Sequence, residues 1–264
     1  MMNLYERDAY LNPYIEYLFN KKITEYDMSD AGLNLSYYYK LLPVETLDEI
    51  KALPKKEHAI KLGLIQRNNE VYKNDLAKAF VDMRRKLFEE NHIKEDSVLS
   101  IKKDAVFMLE SLNITQFDNV IFKEKNTYTS YIRLRDKYEL YYNGETIDVK
   151  GISDVNVEKH RNGFLKIMER FFYIAETQNP ESLLLYLVSV YDQYKWRKLD
   201  IDYYREFNPM SKFHIQHGWM TDYEIAGNIQ YYDDPASLTI DRIDIFYNRD
   251  LLLKLIAFVS EKML

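Results

Sequence analysis

The chain has 264 residues, a formal net charge of −6 and no cysteine. Its length allows one large core or two smaller ones, and the lack of cysteine excludes disulfide frameworks, thiolate metal sites and cysteine nucleophiles. The negative charge argues against nucleic-acid binding over the whole surface, because phosphate neutralisation supplies most of that affinity. The polar N-terminus and the short apolar runs lead us to expect a cytoplasmic protein with no membrane partner.

The first 70 residues predict short helices around one strand. The predicted elements are helices at residues 8–20, 30–42, 46–53 and 55–66 and a strand at residues 23–27. Ile23 and Thr24 are β-branched and favour the strand, and Ser29 or Asp30 can cap the helix that follows. Pro43 ends that helix because proline has no backbone N–H to donate.

Residues 72–91 give the clearest helical pattern in the chain. Four apolar residues recur at steps of three and four, and they are Leu76, Phe80, Met83 and Leu87. The basic residues 84–86 are interpreted as part of a solvated face. The pattern therefore predicts one long helix with a single buried stripe.

After this helix the period changes to that of strands. Strands are predicted at residues 98–101, 105–109, 119–123, 128–134, 137–142 and 146–149. Asn143 and Gly144 tolerate positive φ and indicate a hairpin between the last two. Short strands joined by hairpins predict an antiparallel sheet.

The chain beyond Gly151 predicts helices. They are expected at residues 157–176, 182–194 and 249–263. Asn179 can cap the second helix, and Pro180 fits its first position. Because residues 182–194 are apolar nearly all round, we expect this helix to be central and buried. The change of pattern at Gly151 is the predicted domain boundary.

Two acidic residues stand out by their positions. Asp27 ends the strand at residues 23–27, and Asp104 lies in the tight turn between two later strands. Carboxylates at adjacent strand ends can hold two divalent cations for phosphoryl transfer. Helix capping near Asp27 and turn formation by Asp104 are the alternative interpretation.

The order of these segments resembles the palm and thumb of a family B DNA polymerase. Residues 25–34 look like motif A of that family, in which a strand-end aspartate precedes a helix. The helix at residues 72–91 followed by residues 98–107 resembles the helix that leads into motif C. Residues 135–138 and 148–151 are similar to a basic-aromatic segment and a later Lys-Gly pair.

The resemblance implies an α+β fold with three parts. Residues 1–151 would form an antiparallel palm-like sheet with flanking helices, residues 43–70 a short fingers-like insertion within it, and residues 152–264 a helical thumb-like domain. The 24 tyrosines, with abundant Asn, Ile and Lys, indicate an AT-rich coding genome. Because small polymerase-like proteins from AT-rich sources suggest a bacteriophage or another mobile element, we also expect a phage origin.

The resemblance further implies roles for individual residues. Asp27 and Asp104 would be the catalytic metal ligands, for Mg²⁺ or Mn²⁺ if the protein is active. The candidates for holding a triphosphate are Lys55, Lys56, Lys61 and Arg67, with Lys61 favoured. Gly32 stands where the family has an aromatic residue under the sugar. The candidates for contacting nucleic acid are Arg135, Lys137, Tyr138 and Lys150.

One departure from the family pattern leaves the function open. Lys102 stands where motif C has its first aspartate, and its ammonium favours an inactive site. One hypothesis is a degenerate palm that serves replication or transcription by binding nucleic acid or another protein, including a second copy of itself. The alternatives are an active two-metal nucleotidyltransferase of polymerase or primase type, and an unrelated intracellular protein-interaction module.

Overall fold

The computed structural model describes residues 4–134, 138–151, 163–196, 198–199, 213–215, 218–220, 243–244 and 246–264. At residues 134, 138, 213–215, 218–220, 243–244 and 246–251 the description covers the backbone alone. The fold is α+β and divides into two compact units. Unit 1 comprises Met1–Glu16 and Lys21–Tyr128, and unit 2 comprises Tyr17–Asn20 and Thr129–Leu264.

The elements are numbered in chain order over the described residues. The strands are β1 (Ala9–Leu11), β2 (Tyr17–Leu18), β3 (Ile23–Met28), β4 (Val98–Lys102), β5 (Ala105–Met108), β6 (Gln116–Phe117), β7 (Val120–Tyr128), β8 (Ser130–Leu134), β9 (Tyr138–Tyr142), β10 (Ile147–Lys150), β11 (Phe213–Ile215), β12 (Gly218–Met220) and β13 (Ile243–Asp244). The α-helices are α1 (Ala31–Tyr38), α2 (Val44–Lys51), α3 (Lys55–Asn68), α4 (Glu70–Glu90), α5 (Phe164–Thr177), α6 (Pro180–Lys195) and α7 (Phe246–Lys262).

Unit 1 is built on a six-stranded antiparallel sheet in the order β1-β4-β5-β3-β7-β6. Tyr26 and Met28 of β3 and Val106 of β5 share one core with Leu76 and Leu87 of α4. Side chains alternate between the two faces of a strand. The residues between these core positions therefore belong to the opposite face of the sheet.

Helix α4 confirms the predicted stripe. Leu76, Phe80, Met83 and Leu87 are all buried. The side chain of Asn69 caps the helix by accepting a hydrogen bond from the Tyr72 amide at 3.0 Å. A good cap and a continuous apolar stripe together explain why this is the longest helix among the described elements.

The helix predicted at residues 8–20 is wrong, because this segment forms the short strands β1 and β2. Pro13 cannot donate to a helical carbonyl and disfavours helical backbone at Asn12. Asn12 instead bonds to the main chain of β4: its amide donates to the Leu99 carbonyl at 2.9 Å, and its side chain donates to the Val98 carbonyl at 3.0 Å. The edge of the sheet thus outcompetes the local helical pattern.

Unit 2 combines a four-stranded antiparallel sheet, in the order β10-β9-β8-β2, with helices. Leu140 and Tyr142 of β9 are buried in one core with Phe171 of α5, Leu187 of α6 and Leu255 of α7. The strands β8–β10 share this core with the helices. The chain therefore divides after Tyr128 instead of near Gly151.

Helix α6 begins as predicted but is not buried on all sides. The Asn179 side chain accepts from the Ser182 amide at 2.8 Å, and Pro180 is the first helical residue. Leu185 and Val188 nevertheless have exposed side chains, at 71% and 41% of their full area. The expectation of a central helix is therefore wrong, since an apolar sequence does not by itself supply neighbours on every side.

The remaining helices agree with the sequence-based boundaries where the structure describes them. Helix α7 confirms the predicted C-terminal helix, and α5 confirms its predecessor from Phe164 onward. The first part of that predecessor, at residues 157–162, lies outside the described residues. Within the described ranges, no helix combines the length and apolar character needed to cross a membrane.

Candidate functional site

Asp27 and Asp104 come together at one end of the unit 1 sheet. Strand β3 pairs with β5, where Asp27 lies opposite Ala105, and the Met28 amide donates to the Asp104 carbonyl at 3.0 Å. Asp104 follows Lys103 in the two-residue turn that joins β4 to β5. Lys103 has a φ of 54°, and two-residue hairpins favour such left-handed backbone at their first position.

A buried arginine of α4 donates a hydrogen bond to the main chain of this turn. Arg84 of α4 has no exposed area, and its guanidinium donates to the Lys103 carbonyl at 2.7 Å and the Tyr5 carbonyl at 2.9 Å. Its third bond is to the Asp8 carboxylate at 2.8 Å. The Lys103 amide also donates to the Asp8 carbonyl at 2.7 Å. The position of Asp104 is therefore fixed by contacts with α4 and with the N-terminal segment.

A cleft of about 630 Å³ opens in front of the two aspartates. Its walls come from the loop after β3, the β4–β5 turn, β7 and α3. Eight charged residues line it, four acidic and four basic, and they are Asp27, Asp30, Asp104, Glu124, Lys55, Lys103, Lys123 and Lys125. The cleft is thus mixed in charge, with as many lysines as carboxylates.

Strand register places lysines on both sides of Asp27. Lys102 pairs with Ala105, Ala105 pairs with Asp27, and Asp27 pairs with Lys123. Directly paired residues share a face of the sheet. At a strand spacing of about 4.8 Å, Lys123 lies one strand from Asp27 and Lys102 two strands away on the other side.

A third lysine contacts Asp27 directly. Lys125 of β7 places its Nζ 3.8 Å from Asp27 Oδ2 and 3.5 Å from Glu25 Oε1. The Asp27 side chain is 34% exposed and that of Lys125 is 51% exposed. Solvent therefore partly screens this ion pair. It nevertheless places one positive charge beside the Asp27 carboxylate.

A buried histidine ties the loop after β3 to helix α3. His58 Nδ1 lies 2.6 Å from Asp30 Oδ2, and His58 Nε2 lies 2.9 Å from the Leu53 carbonyl. Both partners accept hydrogen bonds, so the arrangement fits a doubly protonated ring. The hydrogen bond to Asp30 raises the pKa of His58 above its ordinary value, against the opposing effect of burial.

The predicted nucleotide-binding residues lie in different places. Gly32 lines the cleft near the start of α1. Lys61 lines a second groove of about 560 Å³ between α2 and α3, and Arg67 is exposed near the end of α3. Lys55, at the first position of α3, is the basic residue of that helix that lines the cleft.

The predicted nucleic-acid-binding residues belong to unit 2. Arg135 and Lys137 lie outside the described residues, as does the side chain of Tyr138 in β9. Lys150 in β10 forms an ion pair with Asp148, with Nζ 2.8 Å from Oδ2. Lys150 is therefore engaged within its own strand.

The residues at the cleft do not fit a preformed two-metal centre. Among the described residues, no three histidine or acidic side chains cluster so that they could hold a metal ion. Asp27 and Asp104 provide two carboxylates, and a lysine contacts one of them. We therefore assign no catalytic step to a metal here.

Sequence reasoning missed two residues that shape the site. Arg84 was grouped with a solvated basic run, although its spacing from Phe80 and Leu87 places it on the buried stripe of α4. His58 carried no local signal, because its partner Asp30 is 28 residues away. The spacing of Arg84 could have revealed its burial, whereas the partner of His58 depends on tertiary folding.

Comparison with known proteins gives one family. A family model described as "Bacteriophage PBS1 gene 130 protein" matches residues 1–256 of the chain. No curated protein matches the sequence.

Proposed function

The chain belongs to the family of the bacteriophage PBS1 gene 130 protein, and we propose that it is a palm-like phage protein that binds nucleic acid without catalysing nucleotidyl transfer. The proposed place of action is the host cytoplasm, in replication or transcription. The binding surface is the cleft of unit 1.

The placement of the two aspartates supports the palm-like part of this proposal. Asp27 lies on a central strand, β3, and Asp104 lies in the turn of the adjacent hairpin. This is the relation that the resemblance to family B polymerases implies for motifs A and C. Asp27 belongs to the face of β3 opposite to the core residues Tyr26 and Met28, and the cleft that it lines also has walls from α3 and α4.

The observation that carries the proposal is the row of lysines around Asp27. Lys102 and Lys123 flank it across the sheet, and Lys55 and Lys103 line the cleft. Ammonium groups attract phosphate and repel divalent cations. The start of α3 at Lys55 adds the partial positive charge of a helix N-terminus. These lysines offset the carboxylates of the cleft and supply the groups that would pair with a phosphodiester backbone.

Fluorescence anisotropy with labelled single-stranded DNA, single-stranded RNA and a primer-template duplex tests this function. We expect binding that weakens with salt, and Lys123→Gln and Lys55→Gln should each lower the slope of log K against log salt by about 0.7–0.9. Lys78→Gln, a charge-matched change on an exposed face of α4, should leave the slope unchanged. The proposal fails if no substrate binds, or if all three variants change the slope equally.

An active nucleotidyltransferase is the second candidate, because both aspartates are retained at the end of the sheet. Primer extension with Mg²⁺ or Mn²⁺ separates the two. We expect no extension. Extension that disappears in Asp27→Asn would establish the enzyme instead, and with Gly32 in place of the family's aromatic residue it should discriminate weakly between ribonucleotides and deoxyribonucleotides.

A further inference from the structure

A buried carboxylate lies beside Asp27 on the same face of β3. The side chain of Glu25 is 1% exposed. Its Oε2 accepts hydrogen bonds from the Asn126 side chain at 2.7 Å and from the Tyr128 hydroxyl at 2.9 Å. A buried ionised carboxylate needs a counter-charge as well as hydrogen bonds, because its desolvation is costly.

An irregularity in β7 brings that counter-charge to Glu25. The register between β3 and β7 shifts between Glu25 and Tyr26, so that Asn126 pairs with Glu25 and Glu124 pairs with Tyr26. Lys125 is the extra residue of this bulge. Bulges redirect side chains, and the Lys125 ammonium reaches both Glu25 Oε1, at 3.5 Å, and Asp27 Oδ2, at 3.8 Å.

We propose that the ammonium group of Lys125 occupies the position between Glu25 and Asp27 that a divalent metal ion would otherwise take. This inference refines the proposed non-catalytic function and rests on it. One ammonium satisfies two carboxylates at the edge of the cleft, and a divalent ion at that position would lie within about 4 Å of it. The lysine therefore both neutralises the acidic pair and excludes Mg²⁺ or Mn²⁺.

Removal of this ammonium should open a metal site. In Lys125→Met, Mn²⁺ binding measured by electron paramagnetic resonance should become roughly thirtyfold tighter than in the native chain. That factor corresponds to the loss of one positive charge about 4 Å from a divalent ion in a water-like dielectric. Adding Asp27→Asn to this variant should abolish the gain, because it removes one of the two anionic ligands.

Lys123→Met is the matched control for charge. It removes the same charge from the same strand, beside Asp27, but not from the position between the two carboxylates. Circular dichroism checks that each variant folds, and Lys125→Gln provides a second neutral variant that keeps a donor for Glu25. An equal gain in Lys123→Met, or no gain in either Lys125 variant, overturns the inference.

Nucleic-acid affinity of the same native protein distinguishes this inference from the proposed function. A gain of Mn²⁺ binding in Lys125→Met without nucleic-acid binding by the native chain supports the role of Lys125 and refutes the binding function. Tight Mn²⁺ binding by the native chain that Asp27→Asn removes refutes the role of Lys125 alone.

Discussion

Replacing Arg84 by methionine should loosen the turn that carries Asp104. The guanidinium is completely buried and donates to the carbonyls of Lys103 and Tyr5 and to the carboxylate of Asp8. Methionine keeps the apolar stem of the side chain but has no donor. The carbonyls of Lys103 and Tyr5 would then lose their charged donor at a position where Arg84 is buried from solvent.

The expected cost follows from these three bonds. Each hydrogen bond from a charged donor to a main-chain carbonyl contributes about 1.5–3 kcal/mol. The Asp8 side chain is 70% exposed, so its pairing adds at most about 1 kcal/mol. Relief from burying a guanidinium offsets part of the sum. We therefore expect Arg84→Met to lower the free energy of unfolding by about 2–4 kcal/mol.

Chemical denaturation followed by circular dichroism measures this change. Asp8→Asn serves as the control and should cost less than Arg84→Met, because it keeps an oxygen that can accept from the guanidinium and leaves both carbonyl contacts in place. Hydrogen exchange should rise in the peptide that spans β4 and β5 more than in α5, which belongs to unit 2. A loss below about 1 kcal/mol in Arg84→Met, or a loss no larger than in Asp8→Asn, would refute the reasoning.

Three further predictions concern stability. Because the pKa of His58 is raised, its pairing with Asp30 stabilises the fold fully below the unfolded pKa of about 6.5. This stabilisation is lost as pH rises through the folded pKa. The difference in melting temperature between the native chain and His58→Gln should therefore shrink as the pH is raised. Gly32→Ala should change the free energy of unfolding by less than about 1 kcal/mol. A Cβ at this position meets the flexible end of Leu62 at 3.1 Å, and alanine favours the helix. A larger loss of stability in chemical denaturation would show that Leu62 cannot move. Asn179→Ala should cost about 1 kcal/mol through loss of the cap on α6, and an unchanged denaturation midpoint would show that the cap contributes nothing.

Much of the secondary structure was predictable from local patterns. The strand that carries Asp27, the long helix α4 and the hairpin around Asp104 all lie where the sequence places them. In each case the signal is complete within about 20 residues: a run of β-branched residues, an apolar stripe with a cap, or two apolar segments around a polar turn. The segment at residues 8–20 failed because its conformation depends on pairing with β4, about 90 residues later in the chain.

The candidate site was predictable only in part. The sequence indicated Asp27 and Asp104 as neighbours, and the pairing of β3 with β5 brings their main chains together. It gave no indication that Lys125 contacts Asp27, because a bulge in β7 changes which side chains face each other. It also favoured Lys61 on α3, whereas the helix directs Lys55 to the cleft.

The sequence by itself determined the α+β character, the long helix α4 and the two strand-end aspartates, because each depends on spacing along the chain. Tertiary structure decided the division into units, the burial of Arg84 and the charge around Asp27. These features depend on contacts between residues far apart in the sequence, and strand register decides such contacts. A shift of one residue in register turns each side chain to the other face of a sheet, so the same residues could have formed a different site.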